Sequence, residues 1–369
     1  MKIVFSAVSS VSLSVLINIV LIRQALIKKG KASVLALCFT VSLGLLPCSL
    51  SFAESLPPVR VAVLQFGTVN WEMDVIRHHA LDKKYHFSLE VTPVAGKNAS
   101  SVALQSDAVD LIYSDWVWVN RQRFNNRMFG FSPVSAATGG LYAQQESIFS
   151  SLIDIKNARL GVAGGAVDKS WLLLQAYSKQ ALGRDLLDVV EPVFAAPPLL
   201  NQLMYDAKLP LSLNFWHYSA RLKAKGFKPI ITVDEMIRRL GIKYQIPLLG
   251  WVFKDELIQQ KGALLGNFLQ ASREARQILL ASDAEWLRIR PLTRAEDEQI
   301  FIALKEGYRA GVQQRFGVNE LDSLEKLYAI MAEEGGEKLT GGAIKLDRTL
   351  FWIPDAEKNI RQVDSGRTL

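Results

Sequence analysis

Apolar and polar positions follow two different rhythms along this chain of 369 residues. Over its middle, short β-branched or apolar runs trade places with stretches of helical spacing. The runs 60–66, 87–94 and 109–113 read as strands, and 72–81, 98–106 and 115–123 as the helices after them. The same pattern restarts after Gly139 and Gly140. Strands are predicted at 158–163, 189–194, 211–213 and 229–233, helices at 169–182 and 215–225, and a further helix opens at Pro197-Pro198, where proline suits a first turn. An apolar run returns at 247–253. Beyond it, 262–282, 294–310 and 320–334 carry only helical periodicity.

Strands alternating with helices predict an α/β fold with parallel sheets. Two such units followed by a helical tail predict two lobes, since about 315 residues exceed one ordinary core. The apolar pieces 140–144 and 248–253 are the expected crossings between lobes. Lobe one is then discontinuous, 54–141 plus 250–369, with the tail packed on it, and lobe two is 142–249.

The first 53 residues have a different character. An apolar run from Ala32 to Leu50 follows Lys28, Lys29 and Lys31, and ends at Ser51-Phe52-Ala53 before Glu54. A basic segment, an apolar segment and a small-x-small site form a secretory signal peptide, with cleavage predicted after Ala53 and a periplasmic destination. A second apolar stretch, 3–22, precedes the basic cluster. It reads as a translation start placed too far upstream, or else as a membrane anchor, since about 20 apolar residues span a bilayer.

The leader distorts the composition. Five of the 43 basic residues and none of the 36 acidic ones precede Glu54, so the remainder carries 38 against 36, a formal +2 instead of +7. No basic stripe supports nucleic-acid binding. Both cysteines, Cys38 and Cys48, also precede Glu54. A disulfide framework, a thiolate metal site and a cysteine nucleophile are therefore excluded from the exported part.

Export, two α/β lobes and two crossings together describe a binding protein that closes on a small ligand. In open α/β sheets ligands sit at the carboxyl ends of strands, where loops lead into helices. Four loops qualify. The first, Gly67 to Glu72, offers Thr68, Asn70 and Trp71; Asn70 also suits a helix cap and Trp71 a core position. The second offers Asp115, equally a cap, and Trp116; Trp116 and Trp118 are two apart and cannot share a helix face. The third offers Gly164, Gly165, Asp168 and Lys169 at a helix N-terminus, a setting that favours an anion. Its alternative is a tight turn capped by Asp168. The fourth gathers Asn214, Trp216 and His217 beside Phe215 and Tyr218, an aromatic concentration that favours a flat organic ligand.

Enzyme chemistry finds little support. No G-x-S-x-G elbow occurs, and none of the four histidines has metal-ligand spacing with another. His78 and His79 are adjacent and are expected on different helix faces. No catalytic residue, metal or cofactor is expected.

The runs Gly67-Thr68-Val69-Asn70-Trp71-Glu72, Gly161-Val162-Ala163-Gly164-Gly165 and Leu213-Asn214-Phe215-Trp216 resemble substrate-binding proteins of the nitrate, taurine, alkanesulfonate and thiamine-pyrimidine (NitT/TauT, SsuA-like) group of ABC transporters. The likeness covers about residues 58–310. It implies a type II-like periplasmic-binding-protein fold, a monomer with the ligand between its lobes, and delivery to a membrane permease and its ATPase. Asp206 to Pro210 departs from the group, where Gly and Asp often precede the short strand. Two alternatives remain: an accessory or sensor protein uncoupled from transport, and an enzyme similar to thiamine-pyrimidine synthases, which use a cysteine cluster this chain lacks.

Overall fold

The computed structural model describes residues 55–353. The leader and its proposed cleavage site lie outside them. Among the described residues two five-stranded sheets and twelve α-helices form an α/β fold.

The first sheet grows from β1 (Pro58–Leu64), whose Val59, Val61, Ala62 and Val63 are all buried. Such a run suits a parallel strand covered on both faces. α1 (Val69–His78), α2 (Leu81–Lys84) and β2 (Ser88–Val94) follow, then α3 (Lys97–Gln105), β3 (Leu111–Ser114) and α4 (Trp116–Phe124). β2 and β3 flank β1 in parallel. β4 (Phe129–Ser135) forms the far edge, and β10 (Leu249–Lys254) returns between β3 and β4, antiparallel to both.

The second sheet repeats this plan without a sequence repeat. β6 (Ala158–Ala163) is flanked in parallel by β7 (Val190–Ala195) and β8 (Leu211–Asn214). β5 (Gly140–Ala143) lies antiparallel beside β8, with β9 (Lys228–Thr232) outside it. α5 (Lys169–Leu182), α6 (Pro197–Tyr205), α7 (Trp216–Ala224) and α8 (Val233–Arg239) connect these strands. The strand orders β2-β1-β3-β10-β4 and β7-β6-β8-β5-β9 match position for position. Each sheet has one antiparallel inner strand supplied directly after a crossing. All of β5, including Gly140 and Leu141, pairs within the second sheet.

The tail comprises α9 (Asp255–Ala281), α10 (Asp283–Thr293), α11 (Glu298–Gly311) and α12 (Val318–Thr340). α9 and α10 pack on α1, as expected for a tail on lobe one. α11 and α12 correct that expectation. α11 packs on α7, and the missing side chain of Gly307 makes room for the Trp216 ring. α12 lies on both α4 and α5: Leu321, Leu324, Leu327 and Met331 share one apolar cluster with Trp116, Val117, Trp171 and Leu172. The tail therefore touches both lobes. No described helix is long and apolar enough to cross a membrane.

Candidate functional site

Both sheets direct the carboxyl ends of their parallel strands at one cavity of about 160 Å³. Leu64 closes β1, Tyr113 and Ser114 close β3, and Ala137 to Gly139 and Leu248-Leu249 of the two crossings complete the wall. Four helices start at this cavity: α1 at Thr68 and Val69, α3 at Lys97, α5 at Lys169 and Ser170, and α7 at Trp216 and His217. α4 starts two residues beyond Ser114. Converging N-termini bring several partial positive charges to one point, which favours an anion.

The caps divide these helices. Asp115 caps α4 through the Trp118 N–H at 2.9 Å, and Asp168 caps α5 through the Ser170 N–H at 2.9 Å. At α1, α3 and α7 no side chain caps the first turn. Thr68, Gly96 and Phe215 stand at those three positions. Some first-turn amides, such as those of Asn70, Trp71 and Tyr218, bond to backbone carbonyls, and a ligand oxygen can take the place of the missing side-chain cap.

Charged side chains frame the same point. Lys169 Nζ donates to Asp115 Oδ2 at 2.9 Å, joining α5 of the second lobe to the start of α4 in the first. Burial opposes the charge on Asp115, but the ammonium groups of Lys169 and Lys97 and two accepted hydrogen bonds bring its pKa down to about 2. Burial likewise opposes the Lys169 charge, and Asp115 and Asp168 overcome it, holding that pKa above the ordinary lysine value. Lys97 is exposed, with its ammonium over the Phe215 ring; the charge of Lys169 lowers its pKa. Two lysines and two carboxylates balance, so the helix ends tip the cavity toward an anion.

His217 is the polar exception. Its Nδ1 is buried without a hydrogen-bond partner, alone among the described side chains that line the cavity. Burial and then the nearby Arg221 push its pKa down to about 3, so the ring is neutral at pH 7. A neutral imidazole offers one donor and one acceptor.

Of the residues expected from the sequence, Thr68, Asp168, Lys169, Trp216 and His217 line this cavity, and Asp115 reaches it through Lys169. The others lie elsewhere. Asn70 donates to the Leu64 and Gly67 carbonyls at 2.8 and 2.7 Å and ties the first turn of α1 to β1. Trp71 is buried against Trp286, Tyr308 and the edge of Trp216, with its Nε1 bonded to the Leu292 carbonyl. Trp116 is wholly buried and donates to the Pro247 carbonyl at 2.9 Å. Asn214 is buried between Asn201 and the Pro197 carbonyl, and holds the β8 exit by accepting from the Phe215 N–H. Gly164 and Gly165 adopt φ of 86° and 98° and supply the turn before α5 without lining the cavity.

Sequence reasoning missed Lys97, Tyr113 and Ser170. Lys97 follows β2 and opens α3, so the rule that selected four loops selects a fifth here.

No family model matches the chain, and no curated relative matches it. Solved structures do match, by fold. The putative sulfonate ABC transporter periplasmic sulfonate-binding protein SsuA from Methylobacillus flagellatus superposes with a TM-score of 0.62 at 12% identity, over 84% of this chain and 96% of that one. The periplasmic aliphatic sulphonate binding protein SsuA from Escherichia coli gives 0.59 at 13%, over 76% and 90%. The desulfurization enzyme DSZB gives 0.56 at 13%, over 83% and 99%. At such identity the likeness establishes the two-lobed α/β fold that binding proteins and at least one enzyme share.

Proposed function

We propose that this chain is the solute-binding component of an ABC importer, which captures a small organic anion between its lobes and delivers it to a membrane permease. The observation that carries this reading is the meeting of four helix N-termini, three without a side-chain cap, at one interlobe cavity beside Lys97 and Lys169. Sulfonate binding by proteins of the same fold points to a sulfonate or carboxylate head group. Leu64, Val69, Leu248 and Trp216 in the wall suit a short apolar tail. With Trp71 and Trp116 in the core, a cavity of about 160 Å³ favours a small aliphatic ligand over a large flat one.

The leader implies export, cleavage after Ala53 and work in the periplasm, and the resemblance to the binding-protein group implies a monomer. Enzyme function is the weaker reading. The fold is shared with the desulfurization enzyme DSZB, but the cysteine cluster of the thiamine-pyrimidine-synthase alternative has no counterpart after Cys48. Nor does the cavity hold an acid–base pair free of other partners, since Asp115 is tied to Lys169 and Asp168 to the Ser170 amide.

A thermal-shift screen of alkanesulfonates, carboxylates and their uncharged alcohol and amide analogues tests the proposal. A ligand at a hundredfold excess over Kd stabilises the native state by about 2.7 kcal/mol. The anions should raise the melting temperature and the analogues should not. A response to the analogues alone, or none to any anion together with no co-purified solute in native mass spectrometry, contradicts it.

A further inference from the structure

We infer that the carboxyl-terminal end of α1 and the first turn of α10 form a zinc-class metal site built from His78, His79 and Glu285. It lies at the end of α1 opposite Thr68, about 15 Å along the helix axis from the ligand cavity.

The donor atoms are already gathered. His79 Nε2 lies 3.2 Å from Glu285 Oε2, and one ligand atom from each of the three residues lies within 4.8 Å of the others. Ligands about 2.0–2.1 Å from a tetrahedral zinc stand about 3.3 Å from one another. The His79–Glu285 pair meets that spacing, and the His78 donor lies within 4.8 Å of both on an exposed side chain. Adjacent histidines converge here because the helix ends. His78 is its last residue and His79 its C-cap, with φ −89° and ψ 8°, and the two rings lie 4.9 Å apart, edge to face.

The surroundings suit a cation. The site sits at a helix C-terminus, where the macrodipole is negative. Glu285 is almost wholly buried; its Oε1 is engaged by Arg288 at 2.6 Å, which fixes the carboxylate and leaves Oε2 facing His79. Arg288 is itself shared with Asp74, and Glu274 is paired with Lys84. Two imidazoles and one carboxylate are a borderline-soft set that selects zinc or copper over calcium or magnesium. Three protein ligands leave the fourth position to water. Bound metal would tie α1 to α10 around the Trp71–Trp286 contact.

Isothermal titration of the purified, chelator-treated chain with zinc chloride tests the site, with His78→Ala, His79→Ala and His217→Ala variants in parallel. One zinc should bind per chain and raise the melting temperature, whereas magnesium should do neither. Loss of an outer-shell partner already costs about 10–100-fold in metal affinity, so loss of either ligand histidine should weaken binding at least as much. His217→Ala, which alters the only histidine at the ligand cavity, should bind zinc as the parent does. Absence of stoichiometric zinc binding, or binding that survives His78→Ala and His79→Ala but falls in His217→Ala, overturns the assignment. Neither result bears on anion capture.

Discussion

Lys169 and Asp115 meet across the interlobe cavity at 2.9 Å, one at the start of α5 and the other capping α4. Their side chains are 14% and 10% exposed, so the pair is largely withdrawn from water. Its strength depends on both partners, since an unpaired buried charge costs far more than a surface one. Asp115→Asn should therefore destabilise the chain by about 3 kcal/mol in urea unfolding. Asp115→Asn with Lys169→Met should cost less than the two single changes added together. Additive losses would show that the residues do not interact in solution.

The pKa of Asp115 gives that pair a pH window. A carboxylate depressed in the folded state contributes stability above its unfolded value, and loses it as pH falls through the folded value. The contribution should be complete near pH 5 and disappear between about pH 4 and 2. The stability difference between the parent and Asp115→Asn, followed by circular dichroism against pH, should shrink over that interval and stay flat above it.

His217 has the opposite chemistry and its own window. Its folded pKa of about 3 lies below the unfolded value of about 6.5, so the unfolded chain binds the extra proton between them. Stability should fall as pH drops from about 6.5 toward 3, and His217→Asn should remove that part of the slope. Equal slopes for the two proteins would place the ring in water.

The first crossing passes close to the second sheet. A Cβ on Gly139 would fall on the Asn214 carbonyl, which is backbone and cannot swing aside. Gly139→Ala should destabilise the chain by about 2 kcal/mol or more in urea unfolding. Gly262→Ala, where a Cβ meets nothing within 4 Å, is the control and should be neutral or slightly stabilising.

The α/β rhythm was legible because β1, β6 and α5 carry clear signals: a largely buried apolar run for the strands, and for the helix an Asp168-capped apolar stretch buried without a break from Trp171 to Ser178. β4 carried no such signal. Gly130 and Pro133 interrupt it, and proline is tolerated there because β4 is an edge strand. Of the residues the strand-end rule selects, Thr68, Asp168, Lys169 and His217 line the cavity. The rule could not separate Trp216 from Trp71, because what covers Trp71 is Trp286 and Tyr308, more than 200 residues away. Nor could it show that Asn214 and Trp116 face inward, since their partners Asn201 and Pro247 belong to other elements. The tail misled for a similar reason: helical periodicity shows that α11 and α12 have an apolar face, but not which lobe covers it.

Calorimetric titration of the chain and of Lys97→Met with an alkanesulfonate such as ethanesulfonate tests the central claim most directly. Lys97 is exposed and in no ion pair of the described structure, so its loss should spare the fold. One sulfonate should bind per chain, and Lys97→Met should weaken it about tenfold, as expected for one charge-assisted contact. Equal affinity for both proteins, or no binding of any organic anion to the parent, would contradict an anion site at the converging helix ends.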